Sequence, residues 1–176
     1  ERSLYKVFCQ LYEISNKNNI PLKITEEAKG LYTIISSTKI SRGDNRSGII
    51  AACLYFSCKL NNVPRSSKEI ALLFKIKNTV MTRGCKKFQE ILHMNKLYRD
   101  RLINIKSIQP IDLIERCCNH FKLKEEIIIE VKKLCNDITE SNLISENTPP
   151  SIAAACIYYI INKNNIDITK KEIAEI

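Results

Sequence analysis

The sequence predicts an all-α chain: two tandem five-helix units of one kind, the second of them incomplete. Three observations carry that expectation. The segment Ala51-Ala52-Cys53-Leu54-Tyr55 returns 103 residues later as Ala154-Ala155-Cys156-Ile157-Tyr158. On the same diagonal Asn61-Asn62 matches Asn164-Asn165, and Lys68-Glu69-Ile70-Ala71 matches Lys171-Glu172-Ile173-Ala174. Chance gives only about one or two identities over such a stretch. Glycine and proline number four and five in 176 residues, and Asn-Gly and Asp-Gly turn pairs do not occur, which favours long helices over hairpins. A period near 100 is domain-sized, unlike the roughly 20–50 residues of solenoid repeats. The expected organisation is a first repeat over 1–92, a connector over 93–108, read as an ordered or partly helical tether, and a second repeat over 109–176.

Each element follows from spacing and end signals. Leu4, Val7, Phe8, Leu11 and Ile14 mark a first helix over 3–17. Thr25 is expected to cap a second, with Glu26 and Glu27 in its first turn. Residues 41–46 read as a loop. The stretch 47–60 is apolar almost all round, which marks a central helix packed on most faces. Val63-Pro64-Arg65 breaks the chain, and Ser66-Ser67-Lys68-Glu69 forms a capping box for a short helix over 67–74. A turn at Lys75–Lys77 leads to a fifth helix ending near Leu92, giving a helix-turn-helix geometry. In the second repeat, Pro110 fits the first turn of a helix carrying Ile111, Leu113, Ile114, Cys117 and Cys118. A helix over 124–140 follows. Thr148-Pro149-Pro150 opens the second central helix, and Thr169-Lys170-Lys171-Glu172 repeats the capping box.

Composition bounds the function. No apolar run approaches the ~18 residues of a membrane span. The eight cysteines sit mostly among apolar helical residues without a C-x-x-C pair. They read as reduced thiols acting as small hydrophobes in a reducing compartment, nucleus or cytoplasm. His93 and His120 lie far apart, and neither a glycine-rich phosphate loop nor a carboxylate pair occurs, so an enzyme is not expected. The net charge of +9 is uneven: residues 1–92 hold 16 Lys/Arg against 7 Asp/Glu, and residues 105–176 hold 9 against 11. The first repeat therefore faces a polyanion or an acidic partner.

Five helices around an apolar third helix, duplicated in tandem, resemble the cyclin-box architecture. Within it the chain resembles the core domain of transcription factor IIB and its archaeal counterparts. The match runs from Ile49-Ile50-Ala51-Ala52-Cys53-Leu54-Tyr55 through Cys58-Lys59 to Val63-Pro64-Arg65-Ser66-Ser67-Lys68-Glu69-Ile70. The second repeat contributes Arg116-Cys117-Cys118 and Pro150-Ser151-Ile152-Ala153-Ala154-Ala155-Cys156-Ile157-Tyr158. The likeness implies a general initiation factor of the nucleus, with TATA-binding protein, promoter DNA and RNA polymerase as partners. An RNA polymerase III Brf-type factor and a cyclin-type kinase regulator are the alternatives. No cofactor is implied for these residues. The sequence is read as a piece of a longer protein, with a zinc ribbon expected N-terminal to it and a second-repeat recognition helix C-terminal.

Departures from the family pattern bear on the site. The family's G-R-S loop becomes Gly43-Asp44-Asn45, so its arginine is lost unless Arg42 or Arg46 substitutes. The paired lysines opening the fifth helix become Asn78-Thr79, while Arg83 and Lys86 remain in register. The candidates for contact with DNA or partner are therefore Arg42, Arg46, Arg65, Arg83 and Lys86. Lys68 is set aside because Lys171 recurs at its position in the acidic copy. Arg65 and Arg83 are the residues whose joint reversal to Glu is expected to weaken assembly on TATA DNA.

Overall fold

With so few glycines, the helices must end by other means, and the manner of ending recurs through the chain. Asn62 closes the third helix in the left-handed region at φ 55. Its N–H donates to the Lys59 carbonyl at 3.2 Å and the next N–H, of Val63, reaches back to Cys58 at 3.0 Å, the Schellman pattern. Asn165 does the same in the second repeat at φ 52, with Ile166 N–H on the Ile161 carbonyl at 3.0 Å. The side chains of the preceding Asn61 and Asn164 each donate to the carbonyl four residues back, at 2.9 and 3.0 Å. The repeated Asn-Asn pair is thus a helix-ending device. Asn19, Lys75 and Lys122 occupy the same left-handed position elsewhere.

The computed structural model describes residues 2–63, 65–95, 99, 107–141 and 147–174. Helices α1 (Arg2–Lys17), α2 (Leu22–Thr38), α3 (Gly43–Leu60), α4 (Ser67–Leu73) and α5 (Asn78–His93) belong to a first compact unit, Glu1–Lys106. Helices α6 (Ile111–His120), α7 (Glu125–Glu140), α8 (Pro149–Lys163) and α9 (Lys170–Ala174) belong to a second, Ser107–Ile176. No strand occurs among the described residues. The connector expected over 93–108 falls largely on 96–98 and 100–106, outside the described residues, and so does Pro64 of the expected chain break.

In the first unit α3 is the hub, packed by α5, α2, α4 and α1. From Gly48 to Cys58 every residue except Tyr55 is buried, as an all-round apolar sequence demands. Around it close Leu11 of α1, Ile24, Leu31 and Ile35 of α2, Ile70 of α4 and Phe88 and Leu92 of α5. Each such side chain contributes about 1.5–3 kcal/mol by leaving water.

The tightest contact joins α3 to α5 through two glycines. A Cβ on Gly84 would lie 2.2 Å from the carbonyl carbon and oxygen of Gly48, and one on Gly48 would lie 2.6 Å from the Val80 carbonyl oxygen. Two turns along, Phe56 stacks face to face on Phe88, ring centroids 4.3 Å apart. Backbone contact at one point and ring contact at the other fix both the separation and the crossing of the two helices.

The second unit repeats the scheme around α8, which packs on α7, α6 and α9. Ile114, Val131, Cys135, Ile157 and Ile161 form its core. The enclosure is less complete than in the first unit: Ser151, Ala155 and Tyr159 are exposed. Their counterparts in register, Gly48, Ala52 and Phe56, are buried, Gly48 and Phe56 against α5. Among the described residues of the second unit no helix takes the place of α5.

Two helix starts also differ from the sequence reading. Helix α2 begins at Leu22 with Pro21 as N-cap, because proline's fixed φ suits the entry. Thr25 lies inside the helix, buried, and is no cap. Helix α3 begins at Gly43, so residues 43–46 form its first turn and are no loop. Gly43 takes φ 55, open to glycine, and Asp44 favours the positive helix end.

Two outcomes follow for stability. Gly84→Ala forces backbone apart and should lower unfolding free energy by about 3 kcal/mol in a denaturant titration, at the upper end of overpacking costs. Lys122→Gly relieves a left-handed residue and should raise it by about 0.5–1 kcal/mol; an unchanged midpoint would show that the C-cap of α6 carries no strain.

Candidate nucleic-acid interface

Helices α4 and α5 form the helix-turn-helix. Ser66 caps α4, its hydroxyl accepting from the Glu69 N–H at 3.1 Å. The turn closes when Lys75 takes φ 53 and Ile76 N–H donates to the Ala71 carbonyl at 3.0 Å. Helix α5 then buries Val80, Met81, Gly84, Phe88 and Leu92. The 3.6-residue period leaves Thr79, Thr82, Arg83, Lys86 and Glu90 exposed. Arg83 is steadied by its own helix, Nε to the Thr79 carbonyl at 3.4 Å. Arg83 and Lys86 therefore share an outward face, one turn apart. Lys75 and Lys77, exposed in the turn just before α5, add to its positive charge. The sequence reading treated them only as turn residues.

The remaining candidates divide. Arg42 is exposed at the N-cap of α3. Arg46 is half-buried in the first turn of α3, and its guanidinium ties three helices. Its Nε donates to the Tyr32 hydroxyl at 3.1 Å, and an Nη donates to the Ser3 carbonyl and hydroxyl at 3.0 and 2.7 Å.

Arg65 lies in the interior at 8% exposure. One Nη donates to the Glu69 carboxylate at 2.5 Å and the other to the Asn18 carbonyl at 3.1 Å. Its Nε is buried without a hydrogen-bond partner among the described residues. It is a brace between α4 and the end of α1, not a surface cation. Reversing Arg65 together with Arg83 would confound folding with binding.

The repeat-two counterpart of Arg65 is Ile168, half-buried against the second core. Freed of an arginine, Glu172 turns back onto its own helix start. It accepts from Thr169 N–H and hydroxyl, both at 2.7 Å, while Glu172 N–H donates to the Thr169 hydroxyl at 3.3 Å. These bonds hold the exposed Glu172 carboxyl below its ordinary pKa. The same carboxylate position is thus an ion-pair partner in one repeat and a reciprocal capping box in the other.

Most of the cysteines lie in the interior. Cys53, Cys58, Cys118, Cys135 and Cys156 are buried and none of the eight is in a disulfide. Burial pushes the Cys118 thiol up to about 12 and the Cys85 and Cys156 thiols up to about 11. The Lys59 ammonium, also partly desolvated, is held below its ordinary value and sits over the Tyr55 ring, 5.3 Å from its centroid.

These two units form a tandem all-α arrangement with a basic helix-turn-helix in the first. The family model of the transcription factor TFIIB repeat matches residues 1–91 and again 103–176. A transcription initiation factor IIB-like protein of Acanthamoeba polyphaga mimivirus is 34% identical over 187 residues, covering all of this chain and 41% of the relative. Transcription initiation factor IIB of Xenopus laevis is 26% identical and that of Homo sapiens 24%, each over 176 residues, all of this chain and 53% of theirs. The chain belongs to the transcription factor TFIIB repeat family. It spans about half the length of these curated relatives, which are transcription initiation factors.

Arg65→Glu would set a second carboxylate beside Glu69 in the interior. It should cost about 3–5 kcal/mol of stability, the range for breaking a buried pair, read as a loss of cooperative unfolding near room temperature. Because the raised thiols hold about one thiolate in a thousand or fewer near pH 8, native protein should alkylate at Cys85, Cys118 and Cys156 only slowly. The rate should rise with pH toward 11, and urea should abolish the protection; fast labelling of Cys118 at pH 8 in folded protein would contradict its burial.

Proposed function

We propose that this chain is the core of a general transcription initiation factor that binds the complex of TATA-binding protein with promoter DNA and bridges it to RNA polymerase II. It acts in the nucleus and by binding alone. The observation that carries the reading is the pairing of two TFIIB repeats with a basic helix-turn-helix in the first. Arg83 and Lys86 share one exposed face of α5, and Lys75 and Lys77 lie exposed in the turn before it.

Lysine and arginine at such positions neutralise phosphates and fix the orientation of a protein on a duplex without reading sequence. Arg42, exposed at the start of α3, extends the same role to a second point. Arg46 and Arg65 serve by holding the fold: one ties α1, α2 and α3, the other braces α4 on α1. A zinc ribbon N-terminal to these residues is part of the proposal, with no zinc ligand drawn from the residues described above.

The experiment is a gel shift with TATA-binding protein and TATA duplex at physiological salt. Arg83→Glu with Lys86→Glu should weaken ternary-complex formation by about 10–100-fold and lower the salt slope by about two, one unit per lost phosphate contact. The thermal midpoint should stay unchanged, since both side chains are exposed. Undiminished assembly would remove α5 from the interface. Recovery of a protein kinase, with no affinity for TATA-binding protein, would replace the reading with a cyclin-type one.

A further inference from the structure

Helix α1 holds a second recognition feature on its solvent side. Val7 and Leu11 anchor the helix in the core, and Arg46 fastens its first turn through the Ser3 carbonyl and hydroxyl. The helical period then brings Tyr5, Phe8 and Tyr12 onto one flank. Tyr5 is 69% exposed and Tyr12 51%, with Phe8 half-buried between them. Core packing accounts for neither tyrosine, yet both rings are held. The Cys9 thiol, one turn on, hydrogen-bonds the Tyr5 hydroxyl and raises its pKa. The Lys29 ammonium of α2 lies 5.8 Å from the centroids of both the Phe8 and the Tyr12 ring, and Glu26 steadies that lysine at 2.7 Å. Free cations stand beside the rings: Arg2 and Lys6, both exposed, bracket Tyr5. Glu13 is the one acidic residue of α1.

We propose that this flank binds single-stranded nucleic acid, one base stacking on Tyr5 and another on Tyr12 while the adjoining phosphates lie against Arg2 and Lys6. The two rings are seven residues apart, about 10 Å along the helix, so two bases fit without competing for one ring. Exposed aromatic faces interleaved with cations select a ligand that has both flat apolar faces and negative charge. A duplex keeps its base faces stacked inside and offers the tyrosines nothing. A proline-rich peptide would cover the rings and leave Arg2 and Lys6 unused. An unpaired strand uses rings and cations together, and the excess of Lys/Arg over Asp/Glu in the first repeat, 16 against 7, favours its approach. This goes beyond the promoter-binding reading, which places duplex on α5, and does not depend on it.

The test is fluorescence anisotropy with fluorescein-labelled oligo(dT) of about 12 nucleotides, beside an abasic oligomer of equal length and a duplex. Oligo(dT) should bind more tightly than the abasic strand, which keeps the phosphates and lacks the bases. Tyr5→Ala with Tyr12→Ala should weaken oligo(dT) about 30-fold, one stacked base being lost at each ring, and leave the abasic strand unaffected. Tyr5→Phe with Tyr12→Phe should restore the affinity. Arg2→Glu with Lys6→Glu should weaken both strands and lower the salt slope by about 1.4, 0.7 for each lost phosphate contact. Equal binding of oligo(dT) and the abasic strand would overturn the proposal, as would undiminished oligo(dT) binding by the double alanine variant. Tyrosine-dependent binding of a proline-rich peptide without binding of oligo(dT) would overturn it too. The Arg83→Glu, Lys86→Glu variant should bind oligo(dT) within about twofold of the unaltered protein, so this proposal and the promoter-binding one fail separately.

Discussion

The contact between Gly48 and Gly84 is the constraint on which the first unit is built. With Cβ positions 2.2 Å from backbone atoms, the two helices meet main chain to main chain, and no rotamer change can relieve an added methyl. That contact draws α5 onto α3, aligns Phe88 on Phe56, and so turns the opposite face of α5 outward. The direction in which Arg83 and Lys86 point is therefore set by a crossing one helix-width away. The basic surface inherits its rigidity from a pair of residues with no side chains at all.

Comparison of the two repeats separates what the fold requires from what it tolerates. The capped helix start, the Asn-Asn helix ending and the apolar stripe of the central helix occur in both. At Arg65 and its counterpart Ile168 the two repeats differ in packing. One repeat fills the space above its short helix with an ion pair, the other with an aliphatic side chain. Buried ion pairs and apolar residues of similar size are energetically close, so such an exchange between duplicated domains needs no functional reason.

Much of the architecture was legible because it rests on local signals. Ser66 with Glu69 and Thr169 with Glu172 announce helix starts within four residues, and the apolar period announces each core face. The helix-turn-helix followed from those. What stayed hidden depends on residues distant in the chain. Nothing near Arg46 reveals that it reaches Ser3, 43 positions away, or that Arg65 reaches the Asn18 carbonyl, 47 positions away. Charge alone placed both among surface candidates, and only the tertiary partner distinguishes a brace from a binding group. The start of α2 was missed for a different reason: Thr25 is a good cap by type, but Pro21 had already set the entry angle. Half of the proposed α5 face could be read in advance, Arg83 and Lys86 by register, while Lys75 and Lys77 needed the geometry of the turn.

The left-handed positions that end α1, α3, α4, α6 and α8 carry Asn or Lys where glycine would fit with less strain. Glycine codons begin with two guanines, while those of asparagine and lysine begin with two adenines. A chain with four glycines closes its helices with residues that an adenine-rich message encodes. Each of these ends holds a side chain in a backbone conformation that suits glycine better. The fold absorbs the difference in small increments at five helix termini, away from the single α3–α5 crossing where only glycine fits.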